Sequence, residues 1–134
     1  MDQALDKMLR HARRKPIFTP GEGTTETNYG QDVIKRMIPH RDPFLFVDQI
    51  THVDLKQAAM VGKRFIREDD PVFRGHFPEQ PIYPGALLLE TLGQISLCMH
   101  FMDVEQRVEI TAEDRPKPIR LLKLHHALFL EEVL

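Results

Sequence analysis

The feature that most constrains the fold of this chain is an apolar run that follows Pro84 and continues to about Met102. Its apolar side chains fall on nearly every side of a helical projection: Leu87, Leu88, Leu89, Leu92, Ile95, Leu97, Met99 and Phe101. Residues 86–102 make about 25 Å of helix, and a helix that is apolar all round is enclosed by other structure. We therefore expect an α+β domain in which an antiparallel sheet wraps around one central helix.

The rest of the domain is predicted to consist of short elements. Strand-forming residues predict strands over 44–47, over 58–66 and from 119 into 128–134. Asp32 is expected to cap a helical turn that Pro39 ends. Residues 71–84 contain Pro71, Pro78, Pro81 and Pro84, so they form neither a regular helix nor a central strand. A stiff, irregular connection of this kind often carries function.

The first 30 residues differ in character from the rest of the chain. Residues 2–15 have helical apolar spacing with charges on the other face, and Pro16 stops that helix. Glycine, proline and asparagine then indicate a linker. We divide the chain into an N-terminal amphipathic extension with its linker, residues 1–30, and a single domain, residues 31–134, as the length of 134 residues allows.

Composition excludes several classes of protein. The net charge of −2 argues against a nucleic-acid binder, and the basic clusters near both ends are either a solvated face or a contact patch for an acidic partner. Cys98 is the only cysteine, so a disulfide within the chain is excluded and a reducing cytoplasm is expected. No stretch is predicted to reach the roughly 20 apolar residues of a membrane span, and a signal-peptide core is not recognisable.

Two polar residues interrupt the apolar helix on one face. Glu90 and Gln94 are four residues apart and therefore neighbours. A carboxyl among apolar side chains is costly unless it has a partner, and one that keeps its proton near neutral pH can act as a general acid. Taken with the helix alone, a structural glutamate that is paired or reaches the surface is the favoured interpretation.

The proline-rich connection supplies a candidate base and a candidate oxyanion site. His76 lies in the sequence RGHFP, and imidazole is the natural base near neutral pH. Gly85 and Ala86 would begin the helix with unpaired N–H groups and its positive dipole end, where no side chain blocks an approaching carbonyl. A base, an acid and an oxyanion site beside apolar surface predict proton removal next to a thioester carbonyl, with loss of a 3-hydroxyl group as water.

Four segments, in order, carry a resemblance to a known family. Residues 39–48, PHRDPFLFVD, resemble the PHRxPFLxVD opening of the bacterial (3R)-3-hydroxyacyl-acyl-carrier-protein dehydratases. Residues 75–78, GHFP, and 81–85, PIYPG, resemble their GHFPxxPIxPG signature, and residues 89–94, LETLGQ, resemble LEAMxQ. The match covers residues 33–102 clearly and 117–134 loosely.

This resemblance implies a hot-dog fold, a homodimer or a trimer of dimers, and neither a metal nor a redox cofactor. It implies that catalytic His76 of one subunit faces Glu90 of the other, that the Gly85 amide holds the thioester carbonyl, and that acyl carrier protein delivers the substrate. Plain dehydration is favoured over dehydration with isomerisation, because the isomerising relatives carry Asp where this chain has Glu90. His40, Arg41 and Asp48 match the motif and are interpreted as structural.

Gln94 is assigned to the substrate-binding group through its face of the helix. Phe77 and Tyr83 either line the acyl tunnel or simply pack. Seven histidines invite a metal hypothesis, but no pair has a recognisable ligand spacing, so no metal site is predicted. Cys98 is expected to be a small core residue.

Two alternatives to a dehydratase remain open. One is a hot-dog acyl thioesterase, and the other is a catalytically silent hot-dog subunit or fragment that binds acyl carrier protein or a partner chain. The second is retained because family members continue through further strands past residues 128–134, so that the sheet of this chain is expected to be incomplete at its C-terminus.

Overall fold

A computed structural model describes residues 2–120, 123–124 and 127–134. The elements, in chain order, are α1 (Gln3–Ala12), β1 (Thr25–Tyr29), α2 (Gln31–Ile34), β2 (Gln49–Asp54), β3 (Ala59–Lys63), α3 (Val72–Gly75) and α4 (Gly85–Glu105). The three strands form one antiparallel sheet in the order β1-β2-β3. The expected α+β class is therefore present, with a long helix beside an antiparallel sheet.

The core lies between the sheet, α2 and one face of α4. Its buried apolar members come from α2 and the turn after it, from residues 45–47, from β2 and from the second half of α4: Ile34, Met37, Ile38, Leu45, Val47, Ile50, Val53, Cys98, Phe101 and Met102. The strand β3 approaches α4 closely at Gly62, where an added Cβ would lie 2.7 Å from Cδ1 of Ile95. Glycine at this position lets sheet and helix touch.

The prediction that α4 is enclosed on all sides is wrong for the single chain. Leu92 is 60% exposed and Val104 50% exposed on the face that points away from the sheet. The physical reason is that the sheet of the described residues has three strands, which is wide enough to cover one face of a helix. The outer face of α4 is therefore partly exposed among the described residues.

The helix is also longer than predicted, because it continues to Glu105. Its 21 residues are apolar enough to cross a membrane by length and composition alone, which the sequence prediction had excluded. The core helix of a water-soluble domain passes the same test, and α4 buries Thr91, Gln94 and Cys98 against the rest of this domain.

Several local predictions are corrected. Residues 44–47 are buried in part but do not join the ladder, since β2 begins at Gln49. The linker prediction is wrong for residues 25–29, which pair with β2 through a polar sequence that lacks a strand signature. Helix α2 has Gly30, not Asp32, at its N-cap. The proline-rich connection holds the one-turn helix α3.

The strand predicted from residue 119 into 128–134 is wrong for the described residues. Among residues 119–120, 123–124 and 127–134 there is no strand, and Leu121 and Leu122 lie outside the described residues. The helix predicted for residues 2–15 is confirmed as α1, and the strand predicted over 58–66 as the shorter β3. The division of the chain at residue 30 otherwise stays a prediction.

Candidate active site

The beginning of α4 presents free backbone amides. Pro84 is the N-cap, and its carbonyl accepts from Leu87 N at 3.0 Å and from Leu88 N at 3.3 Å. Within the described part of the chain, no oxygen accepts from the N–H groups of Gly85 or Ala86. Free N–H groups at the positive end of a helix dipole suit a developing negative charge on a carbonyl oxygen.

An aromatic side chain lies over this helix end. The ring of Phe129 comes within 2.7 Å of the place where a Cβ on Gly85 would stand, and Val133 O accepts from Tyr83 N at 2.8 Å. Phe129 is half exposed, so its ring has solvent on one side into which it can swing. The ring of Phe129 therefore lies beside Gly85 at the beginning of α4.

His76 is held in one orientation by the connection that carries it. Its Nδ1 lies 2.7 Å from Ile82 O. A carbonyl oxygen can only accept, so Nδ1 carries the proton and Nε2 of the neutral ring has a free lone pair. The next residue, Phe77, has a φ of 60°, a left-handed conformation that is rare for a bulky residue. The backbone around His76 is thus tightly constrained, and its ring is held with Nε2 as the free accepting nitrogen.

The two aromatic residues left open by the sequence behave differently. Phe77 is exposed, with its ring centroid 4.2 Å from that of His76. Tyr83 is buried and packs at 6.0 Å from Phe73, and its hydroxyl has no hydrogen-bond partner among the described residues. Phe77 is therefore available to a ligand at His76, whereas Tyr83 packs into the fold.

Gln94 ties α4 to the segment that precedes β2. Its Oε1 accepts from Phe46 N at 2.8 Å, and its Nε2 donates to Phe44 O at 2.9 Å. The second hydrogen on Nε2 reaches Glu90 Oε1, also at 2.9 Å. Gln94 is 1% exposed, and all its polar atoms are satisfied. It supports Glu90 from within the core, which the spacing of the two residues predicted.

Glu90 itself is more open than expected. Its side chain is 33% exposed, so the expectation of a buried carboxyl is wrong for the single chain, because the outer face of α4 is uncovered. On its other side, His40 Nε2 lies 3.5 Å from Glu90 Oε1. The carboxyl is held from two directions at the same oxygen.

An apolar groove of about 1060 Å³ runs along α4 and contains Glu90. Its walls come from α4, from the start of the PHRDPF segment and from residues 116–120, 124 and 127–128, and they include Pro39, His40, Leu89, Leu92, Leu97, Pro116, Pro118, Ile119, Leu124 and Leu128. Its volume is at the upper end of the range for small-molecule sites. A carboxyl on the wall of such a groove can meet a polar group on an otherwise apolar ligand.

One chain does not bring all the predicted site residues together. Glu90, Gln94 and the groove form one cluster, and His76, Phe77 and Gly85 lie around the beginning of α4. No nitrogen of His76 comes within 4.0 Å of the Glu90 carboxyl in the chain, although both residues are described.

Of the motif residues interpreted as structural, two have structural contacts. Arg41 donates to Ile38 O at 2.9 Å and to Lys35 O at 3.0 Å, which closes the turn after α2. Asp48 Oδ2 accepts from Phe65 N at 2.6 Å. His40 differs from both, because it contacts Glu90. This contact was not predicted from the sequence. The one signal for it is that His40 belongs to the PHRDPFLFVD segment, one of the motifs that carry the family resemblance.

Other reactive groups offer no second centre. Burial raises the pKa of the Cys98 thiol to about 12, so it stays protonated in the core. Over residues 2–120, 123–124 and 127–134, no three His, Cys, Asp or Glu side chains cluster as metal ligands. His125 and His126 lie outside these residues.

Comparisons with known proteins give consistent results. The family model of the FabA-like domain matches residues 38–126. Three curated relatives named 3-hydroxyacyl-[acyl-carrier-protein] dehydratase FabZ are similar in sequence. That of Xylella fastidiosa (strain M12) is 39% identical over 88 residues, which are 64% of this chain and 55% of the relative. That of Clostridioides difficile (strain 630) is 48% identical over 64 residues, 48% of this chain and 44% of the relative.

The third relative, from Campylobacter jejuni subsp. jejuni serotype O:23/36 (strain 81-176), is 43% identical over 76 residues, 57% of this chain and 51% of the relative. The chain thus spans about half the length of the curated relatives it matches.

Proposed function

This chain belongs to the FabA-like domain family and has its α+β hot-dog fold, and from this membership we propose that the protein dehydrates 3-hydroxyacyl thioesters carried on acyl carrier protein. The product would be the trans-2-enoyl thioester of fatty acid or related lipid synthesis. The single observation that carries the proposal is the contact between His76 Nδ1 and Ile82 O, because it leaves Nε2 free to take a proton.

In the proposed reaction, three groups of this chain act on the substrate. Nε2 of His76 removes a proton from C2, and the charge that develops on the thioester oxygen is accepted by the Gly85 N–H. The C3–O bond breaks as Glu90 gives its proton to the departing hydroxyl, so that water and a C2=C3 double bond form. A proton then passes from the imidazolium to the Glu90 carboxylate and restores both groups.

The groove beside Glu90 supports an acyl substrate. Leucine and proline side chains line it, and burial of each methylene of an acyl chain contributes about 0.8 kcal/mol. We also propose that two subunits complete the site, with His76 of one facing Glu90 of the other. The separation of the two residues in one chain and the exposed face of α4 support this arrangement.

The reaction and its residues are tested together by His76→Ala and Glu90→Gln. Each variant is expected to lose at least about 100-fold in hydration of an enoyl thioester, followed as loss of absorbance of the conjugated enoyl substrate. His11→Ala and Glu113→Gln, at exposed positions outside the site, are matched controls that keep wild-type rates. Circular dichroism checks that all four variants fold.

Each contrary outcome has a distinct meaning. Near-normal turnover by either site variant would reject the assignment of residues. Release of free fatty acid from an acyl thioester, without an enoyl product, would indicate a thioesterase. Binding of acyl carrier protein by the wild-type chain without any turnover would indicate a catalytically silent subunit.

A further inference from the structure

The contact between His40 and Glu90 assigns a role to each carboxyl oxygen. The donor Gln94 Nε2 is fixed chemically, because the amide oxygen of Gln94 is already paired with the Phe46 N–H. It donates to Oε1 of Glu90 at 2.9 Å. His40 Nε2 approaches that same Oε1 at 3.5 Å. Both polar neighbours of the carboxyl therefore converge on one oxygen.

The surroundings of the His40 ring determine which nitrogen carries its proton. Nδ1 of His40 is buried and has no hydrogen-bond partner among the described residues. An imidazolium would bury a charged N–H there without an acceptor, which is costly. The neutral ring with a bare Nδ1 and a protonated Nε2 is less costly, and in that form Nε2–H points its hydrogen at Glu90.

His40 is held in this position by its own segment. Its ring stacks on Phe44 with centroids 6.4 Å apart and an interplanar angle of 21°. Its carbonyl accepts from the Arg41 guanidinium at 2.7 Å. The separation of 3.5 Å from Glu90 is long for a hydrogen bond, as is common for catalytic contacts without substrate, which tighten when the ligand binds.

We propose that His40 is a positioning residue which, with Gln94, holds Oε1 of Glu90 as the accepting oxygen, so that Oε2 carries the proton given to the departing hydroxyl. A neutral carboxyl has one accepting oxygen and one hydroxyl, and two donors at Oε1 leave Oε2 as the hydroxyl. This inference rests on the proposed dehydration, since it assigns Glu90 as the acid.

Three substitutions of His40 separate its hydrogen bond from its packing. His40→Ala removes both, His40→Phe keeps the stacking on Phe44, and His40→Gln returns an amide nitrogen at the position of Nε2. In the full chain, Ala and Phe are expected to lower kcat about 10- to 100-fold with KM within about threefold of wild type. Gln is expected to restore most of kcat, and His11→Ala, at an exposed position of α1, serves as the matched control.

A second readout is independent of turnover. Nitrogen-15 spectra of labelled histidine are expected to show His40 with a protonated Nε2 and a bare Nδ1 at neutral pH. In Glu90→Ala, which removes the acceptor, Nδ1 is expected to stay bare, and the Nε2 resonance is expected to shift because its hydrogen bond to the carboxyl is lost. A His40 protonated at Nδ1, or an Nε2 resonance that does not move in Glu90→Ala, would overturn the proposal.

The kinetic outcomes distinguish a failure of the role proposed for His40 from a failure of the proposed dehydration. Wild-type turnover that is lost in Glu90→Gln but is within twofold of normal in His40→Ala overturns the role of His40 alone. A His40→Gln variant no better than His40→Phe does the same, because the returned donor then has no effect. Absence of wild-type turnover overturns the proposed dehydration, and the role of His40 falls with it.

Discussion

Two of the proposed site residues are oriented by backbone from another segment. Ile82 O fixes the proton on His76 Nδ1, and the backbone at Phe44 and Phe46 fixes the amide of Gln94, whose side chain holds Glu90. Because the supports of His76 and Gln94 are main-chain groups, most single substitutions leave them in place. Loss of activity in a site variant is therefore attributed to the side chain that was changed.

Gly85→Ala tests the oxyanion site with little disturbance of the fold. The new methyl group would stand 2.7 Å from the tip of Phe129, which can swing aside, so the free energy of unfolding is expected to change by less than about 0.5 kcal/mol. A carbonyl, however, can no longer reach the amide, and kcat/KM for the enoyl thioester is expected to fall about 100-fold.

The control for this substitution is Gly21→Ala, since nothing lies within 4 Å of a Cβ at Gly21. Urea titrations give the stability of both variants. A Gly85→Ala variant with wild-type kcat/KM would show that the amide at the start of α4 does not receive the substrate carbonyl.

At the scale of the elements, the contact between β3 and α4 leaves no room for a larger side chain at Gly62. Gly62→Val would push side-chain atoms into Ile95, whose Cδ1 and Cγ1 lie 2.7 and 2.8 Å from the first added carbon. Overpacking of this kind is expected to lower the free energy of unfolding by about 1–3 kcal/mol. Urea unfolding of Gly62→Val, Ile95→Ala and the double variant measures the coupling between the two positions. The double variant is expected to lose less than the sum of the two single variants, and strict additivity would show that the contact is not strained.

Two loops depend on ionised aspartates. Hydrogen bonds from the Gln57 backbone N–H, and then from its side chain, lower the pKa of Asp54 at the β2–β3 turn. Hydrogen bonds from Arg107, at 2.5 and 2.9 Å, and from the Thr111 N–H lower the pKa of Asp114 still further. Both groups therefore stabilise the fold above pH about 4, and this contribution is lost as pH falls through the lowered values.

The free energy of unfolding is accordingly expected to decrease between pH 5 and pH 2, followed by urea titration at each pH. Asp114→Asn should be less stable than wild type at pH 7 and should lose less on acidification. The exposed neighbour Glu113, changed to Gln, is the control. An Asp114→Asn variant whose pH profile coincides with that of wild type would contradict the role of the Arg107 pair.

The sequence predicts those elements whose signal is local. Periodicity gives α1 and α4, and proline and glycine give the boundaries of the helix that begins at Gly85. The strand β1 is missed because its sequence, TETNY, is polar, and its strand conformation depends on pairing with β2. Residues 44–47 look like a strand because they are apolar, and three of them are buried, but an apolar sequence does not distinguish buried extended coil from a paired strand.

The members of the proposed site come from the motifs, but their contacts do not. The motifs propose His76, Gly85, Glu90 and Gln94, and the last two meet as their spacing of four predicts. His40 and Glu90 are 50 residues apart in the chain, so helical or strand periodicity cannot predict their contact. The exposure of Glu90 likewise depends on what covers α4, which is a property of the assembly and not of local sequence.

At the scale of the whole molecule, the uncovered face of α4 and the distance between His76 and Glu90 have one explanation in the proposed dimer. A second copy that covers α4 would bury Leu92 and Val104, which are 60% and 50% exposed in one chain. It would also bring the base of one subunit to the acid of the other, so that each dimer holds two sites. A homodimer is the commonest arrangement in which this exchange can close on itself.

Complementation between the two inactive variants tests this arrangement most directly. His76→Ala and Glu90→Gln are co-expressed with different tags, and the heterodimer is purified and identified by native mass spectrometry. Each heterodimer would contain one site with an intact His76 and an intact Glu90, so about half of the wild-type rate of enoyl thioester hydration per dimer is expected. A purified heterodimer no more active than its two parents would contradict a site shared between subunits.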